Sequence, residues 1–571
     1  MSPNQSRPPS VRRRALNRAK AVLGPRGVGT VAGLLARTSS GGRRERFDVA
    51  ARLARVASAL DAGDHTGARR LVDDLARAYP GNPRVLERRA GILAAEGQVT
   101  EPLRLLGRIP RDQLEPGAAA RERRLAGTLV ETSPGWLPRI PGPPCPVVPR
   151  PGTVLHLLKE SAPELTNGFT MRSRYNLIAA RDAGMHPVVV TSLGFPRTIG
   201  VETFEHLVTV DGIPHHRLDA GPCYPQSTAP DRLLSDQAWL SAAIARDVRP
   251  EIIHASSGFR GYDTALVGLA LRDHIRRPLV YEVRSFFESS WSQDETLNGS
   301  GEMVDRRFET ESRAMAAADH VLTIAETMRA DIIARGVPAD RVAVIPNGVD
   351  AGAFAPRDPD PAVRERYGLG DAFVFGYVSN LDHRRENQEL LIEATSVLLK
   401  RGRRVACLIV GDGRRRVELE GIAKAAGTGR AVVFTGSVPH DQVHAYYATL
   451  DAFVVPRRDE RASNMVTPLK PYEALAMERP LIVAALPALL EIAAPDAPEP
   501  RGLAFRAGDA AHLADQLERL MNDPALGRRL GVTGRAWVAT ERSWAANGSR
   551  LRDVYAGVLE RWAAAHPEAR A

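Results

Sequence analysis

Two kinds of hydrophobic periodicity divide the chain. Between residues 48 and 128, apolar positions recur at intervals of three and four, with Gly and Asn-Pro as breaks, and this spacing predicts a run of amphipathic helices. Displacing the segment on itself by 34 residues brings Gly63 onto Gly97, Leu60 onto Ala94, Leu71 onto Leu105 and Leu75 onto Ile109. From residue 153 the pattern changes to short Val/Ile/Leu runs alternating with helical stretches. The predicted strands are 154–158, 188–192, 251–256, 278–284, 320–325 and 342–347, then a second series at 373–379, 405–411, 432–436, 452–456 and 480–486. Nearly continuous apolar strands separated by helices imply parallel sheets covered on both faces. Two such sets, hinged near 348–356, give an α/β architecture of two facing, doubly wound Rossmann-like domains. Ligands in such folds bind beyond the carboxyl ends of the strands, so the cleft between the domains is the expected site.

Between these regions lies "PGWLPRIPGPPCPVVPRPG", with eight prolines from Pro134 to Pro151, read as an extended, semi-rigid spacer. The expected organisation is a basic, disordered tail at 1–47, a helical-repeat region at 48–128 and the Pro-rich linker at 129–151. A first Rossmann-like domain at 152–348, a second at 349–540 and a C-terminal helix at 541–571 crossing back to the first complete it.

Composition changes this picture in one respect. The net charge is +10, and residues 1–46 hold eleven Lys/Arg against the single acid Glu45, so the rest of the chain is neutral. The basic character therefore describes a tail and not a nucleic-acid-binding domain. Such a tail either adheres to anionic lipid headgroups, at about 1 kcal/mol per basic residue, or is a solvated extension that binds nothing. The three cysteines (Cys145, Cys223, Cys407) have no metal-ligand or disulfide spacing, which suggests a reducing compartment. With no run of eighteen apolar residues and no convincing signal peptide, a cytoplasmic protein is expected, peripheral on the inner membrane face if the tail binds lipid.

The candidate chemistry lies in an ordered series. "VLHLLKESAPELTNGFTMRSRYNLIAARDAGMHPVVVT", "RPEIIHASSG", "PLVYEVRSFFESSW" and "VIPNGVD" are followed by "LIVGDGRRRVELE", "VVFTGSVPHDQVHAYYATLDAFVVP" and "TPLKPYEALAMERPLIV". The series, over roughly residues 150–565, resembles family 4 glycosyltransferases, which have the GT-B fold. "FTMRSR", "YEVRSF" and "TPLKP" look most like the subgroup tied to bacterial surface-polysaccharide gene clusters. The helical region resembles the tetratricopeptide repeat, with about two copies where three are usually needed, so it leans on a neighbour or is a generic pair of helical hairpins. A protein partner is one role for it.

Each motif also has a physical reading. Asn167-Gly168 follows the first strand and opens a helix, where free N–H groups favour an anion and Gly168 lets a diphosphate approach; an ordinary strand-to-helix turn also favours glycine. In "SNLDHRRENQELL" the family's Gly-Arg then Lys-Gly pattern falls on Asn380 and Arg385, so one phosphate cation is lost and one kept, with Arg384 or Lys470 able to supply the difference. Solvated turn residues are the alternative for Arg384 and Arg385. Pro471 suits the first turn of a helix, and the amides around Leu469 to Tyr472 would then point at phosphates beside Lys470. The resemblance gives Glu473 the nucleoside ribose and adds Gly411, Val438, Thr467 and Leu469 to the donor site. It also places an acid where this chain has Asn464, or Met465 one residue on; Asp459 or Glu460 could reach in from the preceding loop.

In the first domain, His254 ends the "EIIH" strand where the family has a histidine near the acceptor, with a structural, hydrogen-bonded histidine as the alternative. Glu282 and Arg284 are candidates for acceptor orientation, or a mutual salt bridge. His156, Arg172 and Arg174 are lesser candidates. There is no zinc spacing, Ser-His-Asp series or P-loop, and GT-B enzymes generally work without a bound metal, so no cofactor is expected. The resemblance implies a retaining transferase moving a sugar from a UDP- or GDP-linked donor to a surface glycan or lipid-linked acceptor, the catalytic set being His254, Glu282, Arg284 and Asn464. A nucleotide-sugar epimerase of the same fold, or a weakly catalytic nucleotide-binding scaffold, are the alternatives.

Overall fold

The computed structural model describes residues 42–567 together with Ala32 and Ala36, apart from 222–223, 225–227, 290, 293–296, 298 and 440. Most of the basic segment 1–46, and Cys223, lie outside the described residues. The described residues form two compact units: those within 1–136, 226–233 and 290–307 in one, and those within 137–225, 234–289 and 308–571 in the other.

The first unit is helical, with helices Gly42–Asp61, His65–Ala78, Pro83–Ala95, Thr100–Leu106 and Pro116–Glu131. The first of them starts five residues before the expected end of the tail, so the boundary at 47/48 falls inside a helix. Gly63 and Gly97, the pair aligned by the 34-residue displacement, both have positive φ (75° and 83°), which a glycine adopts without steric cost at a helix end. Asp64 caps the second helix by accepting from the Gly67 amide at 2.8 Å. Leu86, Leu93, Val99, Leu105 and Leu106 form one buried cluster, and Val56, Ala68, Val72 and Ile92 another. The unit is completed by residues from far along the chain. The Glu302 carboxylate accepts from the Val99 and Thr100 amides at 2.8 and 2.9 Å. Although burial opposes it, those bonds and the Thr100 hydroxyl hold this carboxyl at about 2.

The second unit holds two parallel sheets. In the N lobe the strands are β1 Thr153–Leu158, β2 His186–Thr191, β3 Leu207–Val210, β4 Ile213–His216, β5 Ile252–Ser256, β6 Leu279–Val283, β7 His320–Thr323 and β8 Val342–Val344, in the order 3-4-2-1-5-6-7-8. Among the described residues of this lobe only β3–β4 pairs antiparallel. The C lobe has β9 Phe373–Val378, β10 Val405–Val410, β11 Val432–Phe434, β12 Ala452–Val455, β13 Leu481–Ala484 and β14 Gly502–Phe505, in the order 11-10-9-12-13-14. The β3–β4 hairpin and β14 are additions to the expected strands. Burial on both faces explains why β1, β5, β6, β10, β12 and β13, whose residues are all buried, are mostly apolar, with His156, His254, Ser256 and Glu282 among the buried polar exceptions.

The proline-rich segment is not a free spacer. Three of its amides are used against the N lobe: Cys145 donates to His274 O at 2.7 Å, Val147 to Ile275 O at 3.2 Å and Arg150 to Arg249 O at 2.8 Å. Prolines keep the strap extended and supply no further N–H to satisfy. Between the lobes the chain passes twice, and the passages touch: the Val349 amide donates to Arg542 O at 2.8 Å, and Val349 pairs with Ser543. A Cβ at Gly348 would stand 2.9 Å from that same carbonyl, which is why a glycine sits there.

After the second passage, helix Trp544–Ala565 lies along helix Gly168–Asp182, close enough that a Cβ on Gly548 would come within 2.3 Å of Ala179 O. Its Leu551, Tyr555 and Val558 join Val154, Ile252, Val280, Leu322 and Ile345 in one cluster, so the N-lobe core is finished by the end of the chain.

One acid in this lobe makes stability pH-dependent. Glu311 is buried, accepts from Tyr281 Oη at 2.5 Å and is pushed up to about 8, chiefly by burial, with the Tyr281 bond opposing. The folded chain therefore keeps a proton that the unfolded chain releases above the ordinary carboxyl range. Stability should fall as pH rises from about 4.5 to about 8 and be level in this term above that. Urea midpoints at pH 6 and pH 9 should differ accordingly, and Glu311→Gln, which stays neutral, should flatten the difference.

Candidate active site

The carboxyl ends of the C-lobe strands gather the residues expected to hold a donor. Asn380 follows β9 and is exposed, its carbonyl accepting from Gln388 Nε2 at 3.1 Å. Next comes the turn Arg384–Glu386. Arg384 is committed to Glu418 at 2.9 Å. Glu386 is buried and committed too: it accepts from Tyr377 Oη and from Arg457 at 2.9 and 3.1 Å. Burial opposes its ionisation, but the Arg457 charge outweighs that and holds the carboxyl at about 2. Arg385 stands apart: its Nε is 3.5 Å from Glu386 Oε1, a carboxylate already matched by Arg457, and the side chain is half-buried. The solvated-turn alternative fits Arg384 better than Arg385.

After β10, Gly411 has φ of 139°, and a Cβ there would meet Ser379 O at 1.9 Å. Its glycine is required by the approach of the β9 and β10 loops. Val438, after β11, is half-buried against the C-lobe core. Beyond β12, Arg457 also donates to Val466 O at 3.1 Å and so ties the 384–386 turn to the segment leading into "TPLKP". Asn464 sits on the short helix Arg461–Met465, and its Nδ2 donates to Asp459 Oδ1 at 2.7 Å. The carboxylate nearest the family's acid position is thus Asp459, carried by the preceding loop.

Helix Lys470–Ala476 follows, with Pro471 in its first turn and Leu469 at its cap. Lys470 Nζ lies 3.3 Å from Glu473 Oε2, and that oxygen also accepts from Tyr447 Oη at 2.7 Å. Among the described residues Glu473 Oε1 has only Lys470, at 3.5 Å. Tyr447, which the sequence reading missed, is buried in helix Val443–Thr449 and fixes the glutamate from below.

On the N-lobe side, Asn167 caps helix Gly168–Asp182, accepting from the Phe169 and Thr170 amides at 2.9 and 3.0 Å. Those two amides are spent on the cap. Gly168 itself is not in the left-handed region, and a Cβ there would meet only Leu469 Cδ1, at 3.8 Å. Neither backbone nor packing requires glycine at 168. Gly168→Ala is expected to leave the melting temperature unchanged within about a degree while raising the donor KM by about tenfold or more, since a methyl group would occupy the approach to the cap. Thermal melts and steady-state kinetics on the same preparation check it.

Behind Gly168 the remaining candidates form a closed network. Glu282 accepts from Arg172 Nη2 and Nε at 2.6 and 3.1 Å, from Arg284 Nε at 2.6 Å and from Ser256 Oγ at 3.0 Å. Burial would raise this carboxyl, but the Arg284 and Arg172 charges outweigh it and hold the carboxyl well below the usual range. Arg284 further donates to Ser173 Oγ at 2.6 Å and Phe169 O at 3.2 Å, pinning the start of the helix. His254 Nδ1 is 2.5 Å from Tyr555 Oη, its ring stacks on His156 at 4.8 Å between centroids, and Nε2 lies 3.5 Å from Glu282 Oε2. His156 is fully enclosed, and burial pushes it well below the ordinary histidine range. His254, Glu282 and Arg284 are 3, 1 and 6% exposed, so in this arrangement they shape the cleft wall from within and do not open onto it. The mutual salt bridge of Glu282 and Arg284, the alternative to their orienting an acceptor, is present. Arg174 leaves the region altogether, pairing with Asp211 at 2.6 Å.

Direct contacts join the two sets. Arg172 Nη1 donates to Asn347 Oδ1 at 3.0 Å, and Asn347 Nδ2 donates to Thr467 O at 2.7 Å. The Glu491 carboxylate accepts from the Glu326 and Thr327 amides at 3.0 and 2.7 Å, and Arg461 reaches Glu288 and Asp331 at 3.2 Å. The carboxyl ends of the two sheets therefore confront each other. Two cavities of about 560 and 520 Å³ lie at the amino ends of the C-lobe strands and include none of the candidate residues. Among the described residues no group of three or more His, Cys, Asp or Glu is placed to hold a metal ion, and no helix is long and apolar enough to cross a membrane.

Comparison with known proteins bears on this arrangement. A model described as a glycosyl transferase 4-like domain matches residues 170–348, and one described as glycosyl transferases group 1 matches residues 360–537. A GDP-mannose-dependent alpha-(1-6)-phosphatidylinositol monomannoside mannosyltransferase from Mycolicibacterium smegmatis is 31% identical over 252 residues, 43% of this chain and 63% of that protein. An alpha-D-kanosaminyltransferase from Streptomyces kanamyceticus is 30% identical over 196 residues, 34% of this chain and 48% of that one. The chain thus spans between about half and just under two thirds of these relatives' length. Sucrose-phosphate synthase from Thermosynechococcus elongatus has a TM-score of 0.58 at 22% identity, over 72% of this chain and 100% of that one. Anabaena Alr3699/HepE in complex with UDP has 0.54 at 17%, over 71% and 100%. These two structures share the fold. With both lobes matched in order and the paired parallel sheets in place, the chain belongs to the family 4 glycosyltransferases and has the GT-B fold.

Proposed function

We propose that the chain transfers a sugar, with retention at the anomeric carbon, from a UDP- or GDP-linked donor to a surface glycan or lipid-linked acceptor. The observation that carries this reading is the set Arg385, Lys470 and Glu473 at the C-lobe strand ends, beside a Leu469 that lies against Gly168 of the N lobe. Arg385 and Lys470 would hold the pyrophosphate and stabilise it as leaving group, Arg385 bidentately. Glu473, fixed by Tyr447, has an oxygen left to accept from ribose hydroxyls. Gly168, Thr467 and Leu469 would border the donor, with Asn380, Gly411 and Val438 behind it. The reading calls for no resident metal. Both nucleotides stand because the mycobacterial relative is GDP-mannose-dependent and HepE was solved with UDP.

We assign Asn464 a polar contact with the donor sugar and the orientation of Asp459. His254, Glu282 and Arg284 act on the acceptor side as positioning groups. Asn464→Glu would set a second carboxylate against Asp459 in place of a 2.7 Å hydrogen bond. It should shift the ratio of kcat/KM between hexose donors by about tenfold while nucleotide affinity stays within about threefold. The test of the whole reading is incubation with a panel of labelled UDP- and GDP-sugars, with and without glycan and lipid-linked acceptors. Acceptor-dependent release of nucleotide is the expected result. A sugar changed without an acceptor would point to an epimerase, and tight nucleotide binding with no turnover to a scaffold.

A further inference from the structure

One cation at the mouth of the N lobe takes no part in the arrangement above. Lys159 follows β1 directly, and its ammonium lies 3.9 Å from the centre of the Phe169 ring, 5.1 Å from that of Phe287 and 5.7 Å from that of Phe259. The three rings come from three different segments, at the helix after β1, after β5 and after β6. Arg172 and Arg284 on the same wall are both neutralised by Glu282, whereas Lys159 makes no hydrogen bond or ion pair among the described residues. Burial pulls its ammonium below the usual lysine range, with Glu160 and Asp263 pulling the other way. The ring faces contribute cation–π attraction but no counter-charge.

Composition sharpens the point. Of the 77 basic residues only five are lysines: Lys20, Lys159, Lys400, Lys424 and Lys470. In a chain that otherwise uses arginine, two of the five stand at this cleft. A guanidinium would lie flat on the rings, whereas an ammonium is a compact charge that a second group can approach. The cage is also open on one side, for Phe259 is 46% exposed. An exposed aromatic face beside an unmatched cation suits the apolar face of a pyranose that carries a negative group. The location fits an acceptor: Phe169 adjoins Gly168, Gly168 lies against Leu469, and Leu469 adjoins Lys470.

We propose that Lys159, with Phe259 as its stacking partner, forms an acceptor subsite for a sugar bearing an anionic group, a uronate carboxylate or a phosphate. This rests on the transferase reading of the cleft, with Lys470 on the donor's pyrophosphate and Lys159 on the acceptor's own charge. The scarcity of lysine makes both halves measurable in one experiment. The full chain is pulsed with an amine-acylating reagent, and labelling at each lysine is read by mass spectrometry. The additions are UDP or GDP alone, then the same nucleotide with glucuronate, with glucose 1-phosphate, or with glucose.

Nucleotide alone should slow labelling at Lys470 by about fivefold or more, and either anionic sugar should then do the same at Lys159. Glucose should not protect Lys159, Lys400 and Lys424 should not respond, and Phe259→Ala should abolish protection at Lys159. The stronger of the two anionic probes identifies the charge preferred. Protection of Lys470 with none at Lys159 from either anion overturns the proposal but leaves the donor site standing. Equal protection of Lys159 by nucleotide alone also overturns it, by giving the lysine to the donor. If Lys470 itself is unprotected, the donor reading has failed. Calorimetry with glucose 1-phosphate provides a second readout: Lys159→Met should weaken binding by about tenfold, and unchanged affinity sinks the proposal.

Discussion

Replacing Glu473 with glutamine is expected to weaken UDP or GDP binding by about a hundredfold or more. Each hydrogen bond from a ribose hydroxyl to a charged acceptor is worth about 1.5–3 kcal/mol, and in the proposed reading the carboxylate takes two. Glutamine keeps the side-chain length and an oxygen for Tyr447, which donates to Glu473 at 2.7 Å, so the helix should stay in place. What it removes is the negative charge and the capacity to accept twice at one end. Calorimetric titration of both nucleotides against the parent and the variant measures the difference, with circular dichroism as a control for folding. An unchanged dissociation constant would place the nucleoside elsewhere.

The second large effect concerns Glu282. This single carboxylate neutralises two buried guanidinium groups, Arg172 and Arg284, with side chains 3% and 6% exposed. Glu282→Ala leaves both charges without a partner in a place water does not reach, at a cost of about 3–5 kcal/mol. The consequence extends beyond stability, because Arg172 also holds Asn347, and Asn347 holds the Thr467 carbonyl of the opposite lobe. The variant should melt well below the parent and lose activity out of proportion to any change in nucleotide affinity. Removing the acid and one base together, as Glu282→Met with Arg284→Met, should recover part of the lost stability, since one of the two stranded charges goes with it and only Arg172 is left without its counter-charge. A double variant no more stable than Glu282→Ala would show that the charges are not the cause.

The parts of the fold that could be read from sequence were those where one physical rule acts alone. A strand buried on both faces is mostly apolar, so β10 and β13 were visible as unbroken runs and β1 and β5 as runs interrupted by a histidine. The hairpin of β3 and β4 escaped because Leu207–Val210 alternates between exposed and half-buried positions and Ile213–His216 carries Pro214 and two histidines. The strand β14 is four residues, "GLAF", after a loop rich in Pro, too short to declare itself. At the site, sequence order alone brought Lys470, Glu473 and Gly168 to strand ends. It could not show that Arg384 is spent on Glu418 while Arg385 is not, or that Asn464 grips Asp459, because those depend on which side chains meet. The Lys159 cage is of the same kind: two of its three rings, Phe259 and Phe287, stand 100 and 128 residues away in sequence, and no local pattern links them.

The helix Trp544–Ala565 has a consequence for biogenesis. Its Leu551, Tyr555 and Val558 occupy the interior of a lobe whose strands were all translated long before, with Tyr555 closing on His254. Until that segment leaves the ribosome, the nascent N lobe carries an uncovered apolar trough, and the C lobe is threaded out in the meantime. A chaperone guarding the growing polypeptide would find its binding surface there, and a premature stop before residue 544 would be expected to yield aggregates and not a smaller soluble enzyme.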